Sequence, residues 1–329
     1  MGGVSRQAHA ATFRPDRFYC LLDELPVHLI PRPAFRALQA EREEPVYLNP
    51  ECQLRPAQDP PEQFVDGRDL LSGFDLQGTI AWVRDVASEA LLPFWLGPEI
   101  EAVVRSLCAG EPVSLSIPER TRSVLTAAGI LIPEGGEAKC KLQRAAAIER
   151  AGVMFREKGY APLRDLIHPF HVAALRRYYR HQIRSGAIPL GDGQSPLRYV
   201  GYNEPVARFF HRQVAPTLSA IAGEPLKPSY VYMASYLSGA ELRKHVDREQ
   251  CEYSVTLCLD FSPEPELATP WPIRLDTAKG TTTVYQSLGD GLAYRGTQLP
   301  HYRDKLGPGQ TSTSIFFHYV AAGFQGSLD

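Results

Sequence analysis

Residues 236–261 read YLSGAELRKHVDREQCEYSVTLCLDF, a turn-prone segment, a His-x-Asp pair and then an alternating strand. In EYSVTLCLDF, Tyr253, Val255, Leu257, Leu259 and Phe261 fall on one face and Ser254, Thr256 and Cys258 on the other, the period-two pattern of a β-strand. Side chains two apart on extended chain point the same way, so the His245 imidazole and the Asp247 carboxylate can reach one ion together. A His-x-Asp alone is weak evidence, but the chain supplies a further imidazole, His301 in QLPHYRDKL, after a GDG turn and a short strand. Two imidazoles and one carboxylate hold Fe(II) on one triangular face and leave the opposite positions open for a substrate and dioxygen. This donor set points to an oxygenase.

Working outward, the last third of the chain is a succession of short strands between turn signals. They are SYVYMASY, ELRKHV, EYSVTLCLDF, PWPIRLD, TTTVYQSL, GLAYRG, LPHYR and STSIFFHYV. Short strands at such regular spacing predict a jelly roll rather than a parallel α/β sheet. Before them, LQRAAAIERAGVMFREKG predicts a helix ending at Gly159, YAPLRDLI a short extended piece, and HPFHVAALRRYYRHQIRSG a helix closed by Gly186. NEPVARFFHRQVAPTLSAIAG predicts another helix, with a kink at Pro216. His168 and His171 suit helix capping and packing, and Arg176, Arg177 and Arg180 a solvated helix face.

Residues 1–140 are Pro-rich and mixed, with a clear loop at PAQDPPEQ. Two helices are expected there: PEIEAVVRSLCAG, with Ile100, Val103, Val104 and Leu107 in helical register, and SIPERTRSVLTAAGILI, with Ser116 and Glu119 at capping-box spacing. Helix, turn, helix and strand suggest a mostly helical, winged-helix-like region over 1–140, ahead of an oxygenase domain over 141–329. The expected class is therefore α+β, a double-stranded β-helix preceded by helices.

Composition excludes several alternatives. A net charge of −2 over 329 residues gives no electrostatic reason for a nucleic acid or an anionic membrane as partner. No apolar run approaches the roughly 18–20 residues that span a bilayer. The segment MGGVSRQAHAATFRPDRF has no signal-peptide apolar region, and Arg6 departs from the myristoylation pattern. The six cysteines are scattered, without a C-x-x-C pair, as expected of free thiols in a cytoplasmic protein. There is no nucleotide-binding glycine loop, no G-x-S-x-G and no paired-cysteine zinc motif.

Tyr236, Gly239, Leu242, His245, Asp247, Ser254, Val255, Gly289, Gly291 and His301, with the lead-in GYAPLRDLIHP, carry a resemblance to a known family. From about residue 150 onward the chain resembles the Fe(II)- and 2-oxoglutarate-dependent dioxygenases, most closely their prolyl-hydroxylase-like branch. The resemblance implies a double-stranded β-helix, His245, Asp247 and His301 as iron ligands, Tyr236 lining the cosubstrate pocket, and hydroxylation of a peptide or small-molecule substrate. In one respect the chain departs from the family, which places an Arg or Lys about ten residues after the distal histidine to hold the far carboxylate of 2-oxoglutarate. Here that position is Thr311, followed by Thr313, which is expected to face the cosubstrate pocket. Arg303, two residues beyond His301, is the first candidate to replace it and His318 the second, with Arg248, Arg274 and Arg295 behind them. An iron oxygenase without 2-oxoglutarate is one alternative. Another is a non-catalytic peptide-binding protein in which the N-terminal helices do the recognition.

Overall fold

The computed structural model describes residues 13–24, 45–64, 68–113 and 117–329. In chain order the elements begin with β1 (Val46–Leu48), β2 (Cys52–Pro56), β3 (Thr79–Arg84), β4 (Leu91–Leu96), α1 (Pro98–Cys108), α2 (Glu119–Ala127) and β5 (Leu131–Pro133). Then come α3 (Gly136–Lys158), β6 (Tyr160–Leu163), α4 (Pro169–Arg184), β7 (Arg198–Tyr202) and α5 (Pro205–Ala222). The final run is β8 (Leu226–Tyr236), β9 (Leu242–His245), β10 (Tyr253–Ser262), β11 (Ile273–Thr277), β12 (Gly280–Val284), β13 (Gly291–Arg295), β14 (His301–Arg303) and β15 (Thr311–Ala321).

Each of the eight expected strands is present as one of β8–β15. They divide between two antiparallel sheets, ordered β6-β13-β10-β15-β8-β7 and β12-β11-β14-β9. The chain passes back and forth between the two, as a double-stranded β-helix requires, with β6 and β7 extending the larger sheet at its edges. Two apolar clusters join the inner faces. One comprises Tyr236, Phe261, Trp271, Leu306 and Phe316, and the other Tyr160, Ile273, Leu275, Leu292 and Tyr294. The outer face of the larger sheet is covered by helices, so β10 is buried along nearly its whole length.

A β-bulge between Cys258 and Asp260 changes the expected facing of β10. Val255, Leu257 and Leu259 enter the helix-side core, but Phe261 lies in the inner cluster with Tyr236 and Trp271. One extra residue in the ladder reverses every later side chain. The same reversal turns Asp260 towards α4, where Arg176 Nε reaches it at 2.9 Å and Arg180 Nε at 2.5 Å. The solvated arginine face is therefore corrected: Arg176 and Arg180 neutralise a buried carboxylate, and the Arg177 guanidinium lies 3.5 Å over the Tyr19 ring.

The expectation of a mostly helical region over 1–140 is also corrected. Its described residues form a sheet β2-β3-β4 and a pair β1-β5 beside α1 and α2. β3 and β4, TIAWVR and LLPFWL, are continuous apolar runs, which periodicity cannot assign to helix or strand. Ser116 of the proposed capping box lies outside the described residues, and Pro118 at the α2 N-cap provides no side-chain bond. α3 begins at Gly136 and runs through residue 140 without a break. Phe18 packs on Phe74, Trp95, Tyr178 and Phe210, and Phe209 of α5 on Phe64, Phe74 and Trp82. One core thus joins the N-terminal strands to the helices behind the larger sheet. His168 caps α4, accepting from Phe170 N, and its Nε2 meets the Ala127 carbonyl at 2.9 Å, while His171 meets the Pro93 carbonyl at 2.9 Å. No helix among the described residues is long and apolar enough to cross a membrane.

Because the core is shared, denaturant unfolding is expected to show one cooperative transition. Phe209→Ala should lower the stability of the whole chain by about 3–5 kcal/mol. Two separated transitions, only one of them shifted, would contradict the shared core.

Candidate metal centre

β9 and β14 are neighbours in the smaller sheet, and His245 lies opposite His301 in their antiparallel register. Non-local pairing thus brings together imidazoles that are far apart in the chain, with ring centroids 4.3 Å apart. Each ring is oriented by the same local device. His245 Nδ1 is 2.7 Å from the Arg243 carbonyl and His301 Nδ1 is 3.0 Å from the Leu299 carbonyl. An imidazole held by its Nδ1–H in this way presents Nε2 to its neighbour, as a hydrogen-bond donor while Nε2 carries a proton and as a metal ligand once that proton is gone. Both Nε2 atoms point at one carboxylate oxygen, Asp247 Oδ1, each at 3.5 Å.

Asp247 is held from behind. Its backbone N–H donates to the Gly296 carbonyl at 2.9 Å, and Ser254 Oγ donates to Oδ2 at 2.9 Å. Gly296 has a steric reason to be glycine, since a Cβ there would stand 2.4 Å from Asp247 Oδ2 and 2.3 Å from the Cys251 carbonyl. Burial alone would raise the Asp247 carboxyl, but hydrogen bonding to His245 and His301 outweighs it and holds the group well below the usual carboxylate range. The Asp247 hydrogen bond in turn raises His245 above the ordinary imidazole value, against the opposing effect of burial. The donors His245, Asp247 and His301 form one metal-capable group, and two nitrogens with one oxygen is the facial set that suits ferrous iron.

The group opens into a cavity of about 1000 Å³ between the two sheets. Among the described residues none before Asp192 lines it, because the N-terminal strands pack on α4 and α5 behind the larger sheet. Those strands do not line the cavity. The cavity wall includes Tyr236, Tyr294, His318, Arg198 and Arg248.

The cosubstrate candidates separate on geometry. Tyr236 is buried on the inner face, edge-on to Trp271. Thr313 is corrected: it shares a face with Ile315, Phe317 and Tyr319 of the helix-side core and bonds Ser235 Oγ at 2.8 Å. The inward residues of β15 are Ser312, Ser314, Phe316 and His318. His318 does point inward, but burial pulls its imidazole down to about 4, so it is neutral at neutral pH, and its Nδ1 is 2.9 Å from Ser254 Oγ. A neutral ring tied to the Asp247 side is unsuited to replace a cation, which corrects the second candidate.

Arg303 behaves differently. It shares the inner side of β14 with His301, is 5 % exposed, and donates to the Trp271 carbonyl and to Gln286 Oε1. Among the described residues no carboxylate pairs with it, whereas Arg274 pairs with Asp304 at 2.8 Å. Arg248 lies over the Tyr230 ring at 4.4 Å, and Arg295 over those of Phe155 and Tyr253. Sequence reasoning missed Arg198. It lies on β7, a strand that was not expected, opposite Tyr236, which in turn is opposite Ser312. Its guanidinium is held by Asp192 at 2.6 Å, with Nη1 3.4 Å from Tyr236 Oη. Only strand order places Arg198 in that row, so no local signal identifies it.

No family model matches this chain, and no curated protein matches it by sequence. Solved structures similar to it include the non-heme alpha-ketoglutarate-dependent epimerase SnoN from nogalamycin biosynthesis. The identity is 14%, covering 54% of this chain and 84% of that one, with a TM-score of 0.45. A Pseudomonas putida prolyl-4-hydroxylase is similar at 16% identity over 54% of this chain and 100% of that one, TM-score 0.44. HygX from Streptomyces hygroscopicus, solved with nickel, 2-oxoglutarate and hygromycin B, is similar at 12% identity over 54% and 88%, TM-score 0.43.

Gly296→Ala is expected to displace Asp247 and weaken Co²⁺ binding at least tenfold by calorimetry, with the fold retained by circular dichroism. Protons compete for His245 Nε2, and Asp247 raises that affinity. Acidification from about pH 8 to about pH 5.5 should therefore release the metal, beginning above the ordinary imidazole value of about 6.5. Binding that is flat across this range would contradict imidazole ligation.

Proposed function

We propose that this protein is a non-haem Fe(II)- and 2-oxoglutarate-dependent oxygenase that hydroxylates a small molecule or a peptide side chain. The observation that carries the reading is the convergence of two Nδ1-tethered imidazoles on Asp247 Oδ1 at the wall of a large cavity. His245, Asp247 and His301 would hold iron on one face and leave the cavity side for cosubstrate, dioxygen and substrate. When bound, the iron and 2-oxoglutarate supply the activation of dioxygen, with the cosubstrate decarboxylated to succinate.

The chain's own residues would bind, orient and exclude water. Arg303 is the anchor proposed for the far carboxylate. A buried guanidinium without a carboxylate partner is costly, and burial pulls its pKa down. An anionic ligand would offset that cost, so the missing cation on β15 would be replaced from β14. Tyr236 would wall the cosubstrate, with Arg198 beside its hydroxyl. The apolar inner clusters around Trp271 and Tyr294 would keep bulk water from the reacting centre. The outer wall mixes Asp192, Glu241, Arg243 and Lys305 with Tyr202 and Tyr232, which suits a polar substrate with a ring or sugar-like face.

Succinate formation from 2-oxoglutarate, measured with Fe(II) and ascorbate, is expected from the wild type and not from Asp247→Asn. Arg303→Gln should raise the KM for 2-oxoglutarate about 10- to 100-fold, the loss of a charge-assisted bond of roughly 1.5–3 kcal/mol, with iron affinity unchanged. No succinate from iron-loaded protein, together with iron-site spectra that 2-oxoglutarate leaves unaltered anaerobically, would refute the cosubstrate assignment.

A further inference from the structure

Asp247 has two oxygens, and they face different neighbours. Oδ1 meets His245 and His301, whereas Oδ2 is turned to Ser254, whose hydroxyl also meets His318 Nδ1 at 2.9 Å. Asp247 also belongs to a second group, with Cys251 and His318, whose ligand atoms all lie within 4.8 Å of one another. All three side chains line the same cavity. Cys251 ends a short 3-10 turn, Glu249–Cys251, and its Sγ is 3.0 Å from Tyr230 Oη. The facial iron set uses neither the thiol nor His318.

We propose that the cavity contains a second, sulfur-containing metal site, Asp247–Cys251–His318, which takes a borderline-soft divalent ion such as Zn²⁺ and shares Asp247 with the first site as a bridging carboxylate. Thiolate, imidazole and carboxylate are the ligand types of Zn²⁺, at bond lengths of about 2.0–2.3 Å, and a fourth position is left to solvent. Tetrahedral edges from those lengths are about 3.3–3.8 Å, so ligand atoms already within 4.8 Å of one another need only modest side-chain rotations to close on one ion. Binding converts the Cys251 thiol to a metal-bound thiolate and releases one proton to solvent, with no change of oxidation state. Hard, oxygen-preferring ions are disfavoured by the sulfur. The carboxylate is common to both sites, so an ion here alters Asp247 as an iron ligand and makes the oxygenase sensitive to zinc.

The inference rests on the iron reading only through Asp247, and Co²⁺ separates the two. Anaerobic titration of the metal-free full chain with Co²⁺ should bind two ions per chain and show a near-ultraviolet thiolate-to-cobalt absorption. Cys251→Ser, Cys251→Ala and His318→Gln should each bind one ion, without that absorption and with the weaker visible bands of the first site kept. His301→Ala should keep the thiolate absorption and lose the first site. A single ion per wild-type chain, or a titration the Cys251 and His318 variants leave unchanged, would overturn the second site. Absence of Co²⁺ at His245 and His301 while the thiolate absorption appears would overturn the iron reading alone. Circular dichroism of each variant excludes misfolding as the cause.

Discussion

A mostly buried carboxylate between two imidazoles is the constraint around which the barrel half is arranged. Removing Asp247 from water without compensation would cost several kcal/mol. Compensation comes from three separate parts of the chain, His245 at the end of β9, His301 at the start of β14 and Ser254 on β10, while the Gly296 carbonyl holds the Asp247 backbone N–H. None of these contacts exists until the smaller sheet pairs β14 with β9 and the larger sheet places β10 behind them. The fold and the donor set are therefore one problem with one solution.

The two faces of the larger sheet divide the labour. Its inner face carries the polar row and the cavity, and its outer face is covered by α3, α4 and α5, on which the N-terminal strands add a further layer. Trp82, Trp95 and Phe18 are fully buried in that layer. They stiffen the helices that back the barrel without approaching the metal-capable side chains. The bulge in β10 links the two faces, directing Asp260 to the α4 arginines and Phe261 to the inner cluster.

Charge placement inside the barrel follows the same economy. The row Ser312–Tyr236–Arg198 runs across three neighbouring strands, and its cation is already neutralised by Asp192. Arg303, on the opposite sheet, has no such partner among the described residues. A buried cation without a carboxylate partner is the more demanding arrangement. Asp247 shows a related division, with Oδ1 facing the two imidazoles and Oδ2 facing Ser254, whose hydroxyl also meets His318.

Much of this was legible in the residues alone. All eight strands of the barrel, the helices before them and the pair His245–Asp247 depend on short-range period and spacing, and they appear where those signals place them. The capping role of His168 was legible for the same reason. Facing was less secure. Thr313 and Phe261 turn away from the expected side, because a strand has only two faces and one residue of register, or one bulge, exchanges them. The N-terminal strands were hidden by their uniform apolarity, since a run buried on both sides shows no alternation. The pairing of Arg176 and Arg180 with Asp260, the position of Arg198 beside Tyr236, and the approach of His301 to His245 were settled only by tertiary structure. Each joins residues from separate elements, and strand order and sheet packing, rather than any local preference, bring them within reach.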